Sequence, residues 1–121
     1  MAEFIALLSA DLMQGSQIAG AAQRVGAVLR TFSSADSLFN AISPANSGDD
    51  SPRLVIVDLA VPGLDVRALL ARLETLPAGK PRTLAFGPHV HAERLAAARE
   101  AGCDQVISRG QFHAQMDELL A

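Results

Sequence analysis

Residues Arg53–Asp65, Arg-Leu-Val-Ile-Val-Asp-Leu-Ala-Val-Pro-Gly-Leu-Asp, constrain the fold of this chain more than any other stretch. Leu54–Val57 is an unbroken apolar run with the length of a strand buried on both faces, and it leads straight into a carboxylate, Asp58. Pro62-Gly63 marks a turn. A helix is expected over Asp65–Leu76, where Val66, Leu69, Leu70 and Leu73 fall at i, i+3, i+4 and i+7. A strand without a polar face needs cover above and below, which points to a parallel sheet between helical layers. An acid at the carboxyl end of such a strand lies where open α/β sheets carry their chemistry.

The rest of the chain repeats the strand–helix alternation. Phe4–Leu8 reads as a strand, and Gln14–Val25 carries Ile18, Ala22 and Val25 at helical spacing. Val28–Phe32 reads as a more polar strand, nearer an edge. Ser34 is a candidate N-cap for a helix bearing Leu38, Phe39 and Ile42. Ser43–Pro52 is a polar segment without periodicity, expected to be the most mobile loop. Arg82–Phe86 and Gln105–Ser108 read as the fourth and fifth strands. Between them, His91–Ala101 reads as an Ala-rich helix closed by Gly102. Phe112, Met116, Leu119 and Leu120 mark a short last helix. Five strands alternating with five helices, with no internal repeat and no dividing linker, predict one α/β domain over residues 1–121.

Composition narrows the function classes. The 121 residues include ten Lys and Arg against thirteen Asp and Glu, a net charge of −3 without a basic stripe. That balance argues against nucleic-acid binding, as does the absence of Trp and Tyr for base stacking. No apolar run approaches the roughly 20 residues needed to span a bilayer, and Met1–Ser9 lacks the basic start of a signal peptide. Cys103 is the single cysteine, so neither a disulfide framework nor a cysteine metal site is available, and a reduced, cytoplasmic setting fits.

Two segments carry a family resemblance. Val55-Ile-Val-Asp58-Leu-Ala-Val-Pro62-Gly-Leu-Asp65 resembles the segment of response-regulator receiver domains that ends in the phosphorylated aspartate. Ala96-Ala-Ala-Arg-Glu-Ala-Gly102-Cys-Asp resembles the receiver's fourth helix and the turn into its last strand. Together they cover the core of a resemblance that extends over nearly the whole chain. It implies a flavodoxin-like, three-layer α-β-α fold with a five-stranded parallel sheet in the order 2-1-3-4-5. It makes Asp58 the phospho-acceptor candidate. It also implies Mg²⁺ as the expected cation, with Asp11, Asp58 and the carbonyl of Ala60 as candidate ligands.

The same resemblance exposes departures. Receivers finish their first strand with an acidic pair; here the chain reads Leu7-Leu8-Ser9-Ala10-Asp11-Leu12. The pair maps either to Ala10-Asp11, keeping one acid, or to Ser9-Ala10, keeping none. Gly87 stands where receivers carry a Ser or Thr hydroxyl, and Val106 matches the aromatic that moves with it, so both switch positions are degenerate. Arg109 matches the family lysine and Gly110 the proline after it. Arg109 could bind a phosphoryl group or hold Asp58 in an ion pair, although its planar fork is no equivalent of a lysine ammonium. Phosphoryl transfer depends on positioning and charge stabilisation, so losing several of these groups together should blunt it.

Other residues carry little chemistry. His89 and His91 lie after the fourth strand without zinc-site spacing, and His113 is expected on the surface of the last helix. Gly15–Gly20 lacks the Lys-Ser/Thr of a phosphate loop. Asp49-Asp50 reads as a solvated pair, and Cys103 as a small, partly buried residue.

The leading expectation is a pseudo-receiver. Such a module would be non-enzymatic and would bind a protein partner, either a histidine kinase or a downstream effector, with weak or absent phosphorylation of Asp58. By resemblance its partner surface would include Arg94, Arg99, Gln105 and Gln111. The short last helix would leave apolar surface for that partner or for a second copy in a homodimer. The alternatives are a working single-domain receiver that uses a divalent metal, and a small-ligand binder in the switch-point crevice.

Overall fold

The computed structural model describes residues 3–42, 51–77 and 79–121. The strands are β1 (Glu3–Leu8), β2 (Leu29–Phe32), β3 (Ser51–Asp58), β4 (Arg82–Gly87) and β5 (Gln105–Ser108). The helices are α1 (Leu12–Arg24), α2 (Ala35–Ile42), α3 (Val66–Glu74), α4 (Ala92–Ala101), α5 (Arg109–Ala114) and α6 (Met116–Leu120). All strand pairings are parallel, in the order β2-β1-β3-β4-β5, as expected.

Successive side chains on a strand point to opposite faces, and this alternation builds two cores. Phe4, Ala6 and Leu8 of β1 join Val55 and Val57 of β3 and Ala85 of β4 under α2, α3 and α4. Ile5 and Leu7, Leu54 and Ile56, and Leu84 and Phe86 face the other way, under α1, α5 and α6. β1 and β3 are therefore apolar on both faces, and only their ends carry polar side chains. The same parity turns Ser9 and Asp58 toward the α1/α5 side.

Several local readings hold. Asp65 caps α3 by accepting a hydrogen bond from the Ala68 N–H at 3.1 Å. Ser34 caps α2 through the Ser37 N–H at 3.1 Å. Gly102 ends α4 at φ 98°, a left-handed conformation that favours glycine.

Two readings need correction. The expected loop through Pro52 is too long, because β3 already begins at Ser51, alongside Glu3 of β1; its mobility and the Asp49-Asp50 pair concern residues outside those described. The last helix is two short helices broken at Gln115. It also offers no large exposed apolar side chain. Phe112 and Leu120 are fully buried, Met116 nearly so, and α6 packs on α1, where Arg24 and Asp117 pair at 2.8 Å.

The Phe112 ring stacks on Phe86 with centroids 4.4 Å apart, pinning α5 to β4. Phe112→Ala should lower the unfolding free energy by about 3–5 kcal/mol in a chemical denaturation experiment. Cys103 is half-buried against the core, and burial pushes its thiol up, opposed in part by Thr83 and Lys80. Since the thiolate is the nucleophile, Cys103 should react with iodoacetamide more slowly at pH 7.5 than an unhindered thiol, with the rate rising at higher pH.

Candidate functional site

The site lies at the carboxyl ends of β1 and β3, where the chain leaves the sheet for its helices. Asp58 is only 2 % exposed, although it ends its strand. A carboxylate out of water must be hydrogen-bonded, and three donors meet this one. Ser9 Oγ donates to Oδ2 at 2.9 Å, Gln14 Nε2 donates to the same oxygen at 2.8 Å, and the Ala60 N–H donates to Oδ1 at 3.0 Å. All three are neutral.

Each donor is placed by local structure. Ser9 continues the β1 ladder, its N–H bonding to the Phe32 carbonyl at 2.9 Å. Its hydroxyl also accepts from the Asp11 N–H at 3.2 Å, which directs the hydroxyl proton to Asp58. Asp11 is the N-cap of α1, with its Oδ1 accepting from the Gln14 N–H at 3.1 Å. This cap starts the helix so that Gln14 occupies the buried stripe shared with Ile18, Ala21 and Ala22. Gln14 is thus held twice, by Asp11 at its backbone and by Asp58 at its side chain.

The network continues to α5. Gln14 Oε1 lies 3.4 Å from His113 Nε2, at the long end of hydrogen-bond range. Because a carboxylate accepts only, the amide nitrogen must face Asp58, and its oxygen is left for a donor from His113. His113 is therefore half-buried and engaged, not the free surface residue the sequence suggested. Gln14 had escaped the sequence reading altogether. It stands four residues before Ile18, so extending the apolar stripe backwards reaches it: a polar residue on the inward face needs a partner.

The remaining site residues lie around this cluster. Ala10, Asp11, Asp58, Ala60, Val61 and Arg109 line an open depression of about 330 Å³. Arg109 opens α5 behind the Ser108 N-cap. No ion pair joins it to Asp58, whose hydrogen bonds all come from neutral donors. Instead, Arg109 Nε is buried without a hydrogen-bond partner, alone in this among the described residues.

Gly87 and Val106, the expected degenerate switch positions, lie on the opposite face. Gly87 ends β4 with Leu59 packed on it; a Cβ at residue 87 would come 3.3 Å from the Leu59 Cβ. The Leu59 N–H bonds to the Phe86 carbonyl at 2.9 Å and fixes that contact. Val106 pairs with Ala85 and packs half-buried against the core under α2–α4.

Other expected residues are scattered. His89 and His91 are exposed, and His91 is the N-cap of α4 without a side-chain capping bond. Of the suggested partner surface, Arg94 and Arg99 are exposed on α4 and Gln105 is half-buried. Gln111 is committed to a capping box with Ser108.

The donors present do not fit a magnesium shell. Mg²⁺ demands oxygen ligands in octahedral geometry, but the group facing Asp58 Oδ2 from α1 is an amide N–H, which cannot ligate a cation. Ala10 brings no carboxylate, and the Asp11 side chain accepts the α1 capping bond. Among the described residues, no three His, Cys, Asp or Glu side chains gather as a metal site.

Ser9→Ala removes one of the two donors to Oδ2 and the acceptor of the Asp11 N–H. It should cost about 1.5–3 kcal/mol of unfolding free energy, read from urea denaturation with an unchanged m-value.

No protein-family model and no curated protein sequence matches the chain. Solved structures do. A putative response regulator from Chloroflexus aurantiacus superposes with a TM-score of 0.77 at 18% identity, covering 99% of this chain and 98% of that one. The phosphorylated cyanobacterial phytochrome response regulator RcpA gives 0.77 at 15%, with 99% and 89% covered. The receiver domain of NtrX from Brucella abortus gives 0.75 at 23%, with 95% and 92% covered. The chain has the fold of response-regulator receiver domains, a flavodoxin-like parallel sheet in the order 2-1-3-4-5 between two helical layers.

Proposed function

We propose that this chain is an atypical receiver-like signalling module of a two-component-type system, one that works mainly by protein–protein interaction with weak or absent phosphorylation of Asp58. The observation that carries this reading is the occupancy of Asp58: both carboxylate oxygens accept hydrogen bonds from neutral protein donors. Three of roughly four acceptor sites on the carboxylate are taken, and each donor draws electron density away from a group that would have to attack phosphorus. The groups that would stabilise the charge of the incoming phosphoryl group are thin as well, with Ala10 at the rim and Leu59 filling the space above Gly87.

The proposed role is binding rather than turnover, in the cytoplasm, with a histidine kinase or a downstream effector as partner. Leu12 and Met13, 90 % and 76 % exposed beside the depression, supply apolar surface of the kind such contacts use. Arg94 and Arg99 on α4 supply charge.

A second reading has one observation in its favour. Arg109, whose buried Nε has no partner, lines the same depression as Asp58, where its guanidinium could meet a phosphoryl group. In that reading Asp58 is the phospho-acceptor, and Asp11, Asp58 and the Ala60 carbonyl hold Mg²⁺ once the Gln14 contact is released.

Beryllofluoride with Mg²⁺, followed by backbone amide shifts, separates the two. The interaction module predicts no saturable shifts around Asp58, Ala60 and Gly87 at millimolar ligand. Saturable shifts centred on Asp58, together with labelling by a phosphoryl donor that is lost in Asp58→Asn, would establish the second reading instead.

A further inference from the structure

We infer that Gln14 is a positioning residue that takes the place of a cation at Asp58: its carboxamide, oriented by His113, closes Oδ2 to divalent metal. This rests on the pseudo-receiver reading and gives it a physical cause within the chain.

Four observations converge. Gln14 is a buried polar residue on an otherwise apolar helix stripe, 4 % exposed among Ile18, Ala21 and Ala22. Its Nε2 makes the shortest of the three contacts to Asp58, 2.8 Å. Its orientation is not free, because turning the amide over would set Oε1 against a carboxylate oxygen at that distance, two acceptors with no proton between them. His113 favours the same orientation from the far side, with Nε2 3.4 Å from Oε1 and its ring held edge-on to Phe112 at 5.6 Å. Phe112 is in turn stacked on Phe86.

The contact compensates the buried charge as a metal would, by directing positive charge density at an oxygen lone pair. It differs in two ways. It is covalently tethered, so it does not depend on ion concentration. It is also a donor, so while it stays in place no cation can approach that side of Oδ2. Asp11 strengthens the exclusion, because its cap on the Gln14 N–H anchors the first turn of α1.

Two near-isosteric substitutions test the role. Gln14→Met removes the donor without adding charge and suits the buried stripe; Gln14→Glu sets a second carboxylate against Asp58, a like-charge pair that a divalent cation would relieve. Mn²⁺ titration, followed by paramagnetic broadening of the amides of Asp58, Leu59 and Ala60, should show at least tenfold tighter binding in both variants than in the unmodified chain, tightest in Gln14→Glu. A second readout is the side-chain amide pair of Gln14. In the unmodified chain its signals should be displaced from free-glutamine positions, should shift in His113→Ala, and should move further in Asp58→Asn.

If both variants keep native amide spectra and bind Mn²⁺ no more tightly than the unmodified chain, the role assigned to Gln14 fails, while the interaction-module reading stands. If the unmodified chain binds Mn²⁺ as tightly as the variants and takes up beryllofluoride, both fail. Gln14 amide signals at free-glutamine positions, unmoved by His113→Ala, would also overturn the inference.

Discussion

A carboxylate withdrawn from water at the end of a buried strand has to be satisfied locally, and that requirement organises one end of this molecule. Asp58 is almost wholly buried, and Ser9, Gln14 and the Ala60 N–H converge on it. Meeting it fixes the hydroxyl of Ser9, the first turn of α1 through Asp11 and Gln14, and the start of the β3–α3 connection through Ala60. It also reaches α5, since the Gln14 oxygen then faces His113. The end of β1, the end of β3, α1 and α5 are thereby tied to one group.

The chemical character of the site follows from the type of donor. Cationic partners would leave Asp58 a charged pair, and an adjacent acid would make it half of a cation-binding couple. Neutral donors instead make it a structural acceptor. The charged groups nearby are engaged elsewhere or left over: Asp11 in its helix cap and Arg109 with an unpartnered Nε. The immediate contacts of Asp58 are those of a buried polar network, in which each member depends on the others.

Most of the architecture was legible in the sequence because burial on both faces leaves a strong mark. Leu54–Val57 and Phe4–Leu8 have no polar face, and the stripes at Leu38, Phe39 and Ile42 and at Val66, Leu69, Leu70 and Leu73 set the helices that cover them. Gly102 and Ser34 gave away their caps by residue type. The candidate site was legible only in its centre. Asp58 follows from its place at the end of a strand, and Gly87 and Val106 were singled out by the family resemblance, but the Ser9–Asp58 and Gln14–Asp58 contacts join residues 49 and 44 positions apart. No local pattern encodes such a contact. Gln14 and His113 are polar side chains whose role depends on which helix faces which strand end. The Arg109–Asp58 pair failed as an expectation because charge type alone says nothing about which donors reach an oxygen first. The break at Gln115 was hidden because the apolar residues on both sides of it keep a helical spacing.

The strict alternation along β3 has one more consequence. Asp58 turns to the layer of α1 and α5, and its neighbour Leu59 turns to the layer of α3 and α4, where it covers Gly87. The sheet at this point acts as a partition. On one side lies a chain of polar contacts running from Ser9 to His113; on the other, a leucine seated on a residue with no side chain to swing. Position 87 therefore offers no rotamer through which the polar side could be felt across the sheet.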